Sequence, residues 1–363
     1  MGTPESFLRV GVIGCGNIVE QYLRTLPHLS RVRLVAAADL DPARAEQVAA
    51  RVPGARALTV DELIADPDVD LVLNLTIPAA HHDIALRAIA AGKHVYGEKP
   101  LADTVEHAVD VLAAAKAAGV TVGAAPDTVL GPGIQTARRA VDDGLIGRPI
   151  SATATMATAG HERWHPNPDF YYQPGGGPLL DMGPYYVTAL VSLLGPVTSV
   201  VGAASRLRDE RVIGSGARAG ERIPVAVDTH VTGVLVHASG ALSTITMSFD
   251  TVASAASRIE IHGESGSLIV PDPNQFDGET RLKVLGDEEW RVLEQFAGYV
   301  GAERGIGLED LAMEGASLRA SGALAFHVLE VMESLLESAH SGRAIAIEST
   351  CERPAPVPLT RIA

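Results

Sequence analysis

The chain lacks what would suit it to an oxidising compartment, a polyanion or a bilayer. Two cysteines, Cys15 and Cys351, in 363 residues are too few for a disulfide framework. Positive charge is in the minority: 29 Lys and Arg stand against 44 Asp and Glu, and a net −15 repels nucleic-acid phosphates and anionic lipid. The longest uncharged stretch, 182–205, is interrupted by Gly183-Pro184 and Gly195-Pro196, which argues against a membrane span. The opening MGTPESFLRVGVIG has no basic segment followed by a long apolar one, so no signal peptide is expected and the cytoplasm is the expected location. Aromatic residues are only 4% of the chain. The 47% that is apolar leans on Ala and Val, as in helices packed on a parallel sheet.

Length sets the next bound. At 363 residues the chain exceeds one ordinary core, and two domains are expected. Apolar runs at 8–14, 32–38, 70–76, 93–97 and 120–125 alternate with helix-period segments near 18–28, 42–52, 79–91 and 103–118. Buried strands alternating with helices predict a doubly wound parallel sheet. Asp103, with Glu106 three residues on, is the expected cap of the last of these helices.

Within this first third, GVIGCGNIVEQY puts Gly14 and Gly16 at the first strand-to-helix turn, where a dinucleotide pyrophosphate meets a helix N-terminus. The third glycine of GxGxxG is replaced by Val19. Asp39 closes the second strand about twenty residues on, where an acid binds a ribose hydroxyl and disfavours a 2′-phosphate. NAD is therefore expected ahead of NADP, which Asp39 alone does not exclude. Ligands bind outside the carboxyl ends of such strands. Lys99 leaves one of these ends, Thr76-Ile77-Pro78 with His81 another, and Pro126-Asp127 a third. On the residues alone, His81 reads as a solvated histidine at a helix start, Lys99 as a turn lysine paired with Glu98, and Cys15 as a small turn residue.

The segments GCGN, NLTIPAAHHDIAL, AGKHVYGEKPLA and GGGPLLDMGPYY together resemble the Gfo/Idh/MocA oxidoreductases over most of the chain. The resemblance implies a Rossmann domain, set here at 1–127, then an α+β domain, 128–363, on an open-faced, mostly antiparallel sheet. It further implies a nicotinamide cofactor, a sugar, inositol or related polyol as substrate, and a homodimer or homotetramer through the second sheet. The residues expected at the cofactor are Gly14, Gly16, Asn17, Ile18, Asp39, Thr76, Pro78, His81, Glu98 and Lys99.

In the second half, strand-like alternation recurs at 150–157, 225–236, 241–249 and 258–270, with turns at Ser239-Gly240 and Gly263–Gly266. The Arg- and Gly-rich stretch 205–224 reads as a flexible excursion, and a long helix is expected near 319–341. In YYQPGGGPLLDMGPYY the three glycines would let backbone approach a ligand, and Asp181 is the expected cap of a helix carrying Pro184 in its first turn. Tyr185 follows Asp181 by four residues and so lies near it on a helix. In the family this position is commonly histidine, and a tyrosine branch acts on sugars and sugar-like alcohols or ketones. The tyrosine here puts a histidine-based mechanism in doubt.

The expected chemistry has Lys99 and Tyr185 flanking the reacting carbon. The phenol would exchange a proton with the substrate oxygen, and a neighbouring ammonium favours phenolate. Asp181 would hold a substrate hydroxyl or orient the lysine, and Asp127 would bind a hydroxyl. GHERWHP, 160–166, reads HExxH, but Gly160 and Pro166 leave no room for a zinc-binding helix, so no metal is expected. The segment reads as a loop offering Trp164 and His165 to a sugar. Two rivals stand beside the dehydrogenase: a glycosidase that oxidises transiently on retained NAD, and a dinucleotide-binding regulator. Lys99 and Tyr185 argue against the regulator.

Overall fold

The computed structural model describes residues 7–313 and 318–362, and its chain divides into two compact units. The start of the leader reading, residues 1–6, lies outside the described residues. The first unit runs to Gly131 and is completed by Tyr299–Phe326 and by the chain from Val357 onward. The second comprises Pro132–Gly298 and His327–Pro356. Residues 299–326 and 357–363 thus join the first unit although they fall within the 128–363 range.

The first unit contains the expected parallel sheet. Its elements are β1 (Leu8–Ile13), α1 (Val19–Thr25), β2 (Val32–Ala38), α2 (Pro42–Arg51), β3 (Arg56–Leu58), α3 (Val60–Ala65), β4 (Leu71–Asn74), α4 (Pro78–Ala90), β5 (His94–Gly97), α5 (Val105–Ala118) and β6 (Val122–Ala124). Strand order is β3-β2-β1-β4-β5-β6. Its core strands are apolar along their length because helices cover both faces. The short pair β3 and α3 has too little periodicity to be read from sequence, although Thr59 and Glu62 form a full capping box before α3. The cap of α5 is Thr104, one residue beyond Asp103. Its side chain accepts from His107 N–H, and Asp103 instead takes the His107 ring at 2.6 Å.

Register aligns the strand ends. Ile13 pairs with Ala38 and with Asn74, Asn74 with Gly97, and Gly97 with Ala124, so five strands finish level. The loops that follow leave one edge of one sheet.

The second unit opens with α6 (Pro132–Asp142), β7 (Pro149–Ala157), α7 (Pro178–Leu194) and β8 (Val197–Ser205). It continues with β9 (Glu210–Val212), β10 (Arg222–Pro224), β11 (His230–His237), β12 (Leu242–Ser248), β13 (Ile259–Gly263), β14 (Gly266–Val270), β15 (Arg281–Val284) and β16 (Arg291–Val292). The chain then gives β17 (Tyr299–Val300) and α8 (Ile306–Leu311) to the first unit. Last come α9 (Gly322–Ser341), β18 (Ile345–Ala346) and β19 (Thr360–Arg361), which pairs with β17. The large sheet runs β16-β15-β14-β13-β7-β12-β11-β8-β18, antiparallel apart from the β12–β7 pair. Helix α7 packs on β7, β11 and β12, burying Tyr186, Val187, Leu190 and Leu194. No helix among the described residues is long and apolar enough to cross a membrane.

The stretch 205–224 is not the flexible excursion its composition suggested. It forms the β9–β10 hairpin, and Arg211 on β9 is buried to 2% exposure. Arg211 donates to Glu162 Oε1 at 3.1 Å and to Asp250 Oδ1 at 2.5 Å, and Tyr172 O–H donates to Glu162 from the other side. Removing the cation leaves Glu162 buried and Asp250 half-buried without their counter-charge. Arg211→Met should therefore cost about 3–5 kcal/mol in urea unfolding. A loss below about 1 kcal/mol, the range of an exposed pair, would mean that water reaches the network.

Candidate active site

The glycine turn after β1 is built for close approach. Gly14 has φ +96°, and a Cβ there would sit 2.7 Å from the Leu75 carbonyl, so β1 and β4 can finish side by side only with glycine. Gly16 faces open space and Asn17 is exposed. The Cys15 N–H donates to Asp39 Oδ2 at 2.7 Å and the Asp41 N–H to Oδ1 at 2.9 Å. Asp39 thereby fixes the turn, and each of its oxygens retains a lone pair. Cys15 itself is buried beside Asp39, and both effects, burial first, push its thiol up to about 12, so it remains a protonated turn residue.

Asn74, at the end of β4, organises the next loop. Its Oδ1 accepts from Thr76 O–H at 2.6 Å, its Nδ2 donates to the His81 carbonyl at 3.2 Å, and its own carbonyl takes Glu98 N–H at 3.0 Å. Sequence reasoning missed Asn74, although an amide inside the apolar run LVLNL is the kind of signal that marks such a role. Pro78 starts α4.

His81 is not solvated. It is 2% exposed, with Nδ1 2.7 Å from the Pro100 carbonyl and Nε2 3.1 Å from the Thr76 carbonyl. Its ring braces the Thr76 loop against the loop that carries Lys99. Glu98 is also drawn inward: it is 9% exposed and accepts the Tyr22 O–H from α1 at 2.8 Å. This contact joins the Lys99 loop to the helix that follows the glycine turn. Nothing in the sequence linked Tyr22 to Glu98, because the link follows from the level strand ends. Lys99 is half-buried, and its peptide bond to Pro100 is cis.

Asp127 departs from its expected role on a substrate hydroxyl. It has no exposed surface, and its Oδ2 accepts Gly305 N–H at 2.8 Å and Gly307 N–H at 3.0 Å, anchoring the start of α8. Burial raises its carboxyl to about 6, against the lowering pull of those N–H groups and of Arg304.

In the second unit Asp181 is not a helix cap. Gly177 is the N-cap and Pro178 the first helical residue, so Asp181 lies in the first turn and Pro184 falls inside the helix. The triple glycine serves its own loop: a Cβ on Gly176 would come 2.3 Å from the Phe170 carbonyl, and Gly177 N–H donates to the Tyr171 carbonyl at 2.7 Å. Asp181 Oδ2 is 3.2 Å from His161 Nε2. Tyr185, one turn on, is 5% exposed.

The HExxH segment is a 3₁₀ turn, His161–Arg163, rather than an α-helix. Its Glu162 is held by Arg211, and His165 Nδ1 accepts from Asn167 N–H at 3.1 Å. Trp164 is 58% exposed and His165 half-buried, in ring contact with Trp164, Phe170 and Tyr171. The loop residue that meets Asp181 is therefore His161, which the sequence reading passed over in favour of Trp164 and His165.

Residues 8–125 match an oxidoreductase family with an NAD-binding Rossmann fold, and residues 134–269 match the Gfo/Idh/MocA C-terminal domain. An inositol 2-dehydrogenase of Rhizobium meliloti (strain 1021) is 30% identical, aligned over 72% of this chain and 74% of its own length. The chain belongs to the Gfo/Idh/MocA oxidoreductase family. A D-xylose dehydrogenase of Paenarthrobacter nicotinovorans is 32% identical over 39% of this chain, and the match spans only 38% of that protein. An NAD-binding oxidoreductase from Klebsiella pneumoniae has the same fold, with TM-score 0.81, 26% identity and coverage of 94% of this chain and 99% of that one. The residues present fit the family's dinucleotide: the open space at Gly16 leaves backbone accessible, and the spare lone pairs of Asp39 suit ribose hydroxyls.

Asp127 yields a pH signature. Its folded carboxyl titrates near 6 and an unperturbed one at 3.8, so the native state carries the extra proton between these values and loses stability as pH rises across them. Asp127→Asn should remove about 2–3 kcal/mol of that pH dependence in denaturant titrations between pH 4 and 7. An unchanged slope would place the titration on another group.

Proposed function

We propose that this family member is an NAD(P)-dependent oxidoreductase that transfers hydride between nicotinamide and a CH–OH carbon of a sugar, inositol or keto-sugar. The supporting observation is the sheet edge where the Gly14 turn, Asp39 and Lys99 emerge level and the Tyr22–Glu98 hydrogen bond ties two of their loops. The dehydrogenase names of its inositol and xylose relatives support the substrate class. The expected absence of a 2′-phosphate opposite Asp39 favours NAD over NADP.

Gly14, Gly16, Asn17, Ile18 and Asp39 would hold the pyrophosphate and adenosine ribose, and Thr76, Pro78, His81 and Glu98 would shape the remainder of the cofactor cleft. The bound nicotinamide supplies or receives the hydride. Lys99 ligates the substrate oxygen, Tyr185 exchanges its proton with that oxygen, and Asp181 accepts a neighbouring hydroxyl. Trp164 and His165 offer stacking and hydrogen bonds to the sugar. Two buried thiols suit the reducing cytoplasm.

Titrating NADH and NADPH, then following cofactor turnover with a panel of sugars, inositols and keto-sugars, tests the reading. Lys99→Ala and Tyr185→Phe should each lower kcat by about 10²–10⁴, and Tyr185→Phe should leave NADH affinity within twofold. Full turnover by Tyr185→Phe would remove the tyrosine from the proton step. Retained cofactor with no net consumption, together with aglycone release from glycosides, would replace the dehydrogenase with the glycosidase.

The large sheet supports a homodimer or homotetramer. Val201 on β8 and Leu242 on β12 are 50% and 48% exposed, and both lie beside Val234 or Val236 of β11 in register. Val201→Lys with Leu242→Lys should reduce the mass in analytical ultracentrifugation. A wild-type protein that sediments as a monomer would end the proposal.

A further inference from the structure

The second unit holds a polar contact that the proposed chemistry leaves unused. His161 is 9% exposed and sits among Phe249, Tyr171 and Trp164, with ring centroids 4.4, 4.8 and 5.2 Å away. Its Nδ1 is buried without a hydrogen-bond partner. A phenylalanine would fill this aromatic cage without stranding a nitrogen, since an unpaired buried polar atom destabilises the fold. What only histidine adds is the 3.2 Å contact from Nε2 to Asp181 Oδ2.

We propose that His161 is a positioning residue for Asp181. An ionised carboxylate only accepts, so Nε2 carries the proton in this pair and Nδ1 is the bare nitrogen. The hydrogen bond fixes one Asp181 oxygen and with it the carboxylate's rotamer in the first turn of α7. With the rotamer set, the Asp181 carboxylate meets a substrate hydroxyl in one orientation. The His161 turn is itself held from behind: the adjacent Glu162 is locked by Arg211 and Tyr172, so the imidazole cannot drift without disturbing a buried ion pair. The ring therefore transmits the rigidity of that network to Asp181. This inference rests on the reading of Asp181 as a substrate-hydroxyl ligand.

The test has a spectroscopic and a kinetic arm. Nitrogen-15 NMR of the histidine rings in the wild-type protein should show His161 as the Nε2–H tautomer, and Asp181→Asn should shift its Nε2 resonance. A Nδ1–H tautomer would overturn the proposal. In kinetics, His161→Phe should keep thermal stability and NADH affinity while lowering kcat/KM for the polyol at least tenfold. His161→Gln, whose amide can donate near the Nε2 position, should recover to within threefold of wild type. In an Asp181→Asn background, His161→Phe should change the residual kcat/KM less than twofold, because the two residues act as a unit. A His161→Phe enzyme within twofold of wild type would reduce the histidine to packing and leave the proposed function standing. A wild-type protein that turns over no polyol with either nucleotide would end the proposed function, and the tautomer and its response to Asp181→Asn would still decide whether His161 holds Asp181.

Discussion

A carboxylate with no exposed surface must find donors, and Asp127 takes them from backbone 178 and 180 positions later in the chain. Without the Gly305 and Gly307 N–H groups, the last strand of the parallel sheet would end in a buried charge. Supporting ties follow from the same return: Ala124 N–H donates to the Ala320 carbonyl, Ser30 O–H to Glu309, and Asp310 pairs with Arg319. The nucleotide-binding unit is therefore finished by late sequence, and the free edge of β6 is covered by the Gly123–Ser321 bridge.

The other acids of that edge are also met by donors from neighbouring loops or helices. Asp39 is met by Cys15 N–H, Glu98 by Tyr22 O–H and Asp127 by the α8 entry. Each acid thus fixes a loop. Three carboxylates leaving one sheet edge would repel a dinucleotide's phosphates if left to face them. At the glycine turn, by contrast, no atom lies within 4 Å of where a Gly16 side chain would start, so that turn presents backbone rather than a carboxylate.

The parallel sheet was legible because buried strands and amphipathic helices differ in period, and the strand bounds 32–38 and the helix bounds near 42–52 agree with the structure closely. Three features were not legible. The role of Asp127 depends on a partner far along the chain that no local pattern announces. The burial of His81 depends on the Pro100 and Thr76 carbonyls meeting across two loops. The 205–224 hairpin hid behind glycine and arginine, since composition cannot show that Arg211 turns inward with Ile213 and Ile223 while Glu210, Val212 and Arg222 stay exposed. Asp181 was legible as a residue of interest but not as a first-turn residue, because Gly177 and Pro178 start the helix earlier than a preference for acidic caps suggests.

GHERWHP shows how one short segment can mislead by motif and inform by geometry. On an α-helix its two histidines, four apart, would share a face. A 3₁₀ turn instead has three residues per turn and ends at Arg163, so His161, Glu162 and His165 go to separate partners. Glu162 turns into the Arg211 network, His161 reaches Asp181, and His165 folds back on Asn167. What would have been one metal site becomes an anchor, a brace and a loop closure. The anchor gives the brace its stiffness, because a buried carboxylate between an arginine and a tyrosine resists movement more than exposed loop backbone does. A loop pinned in this way can present Trp164 to solvent while the residue three before it remains fixed against α7.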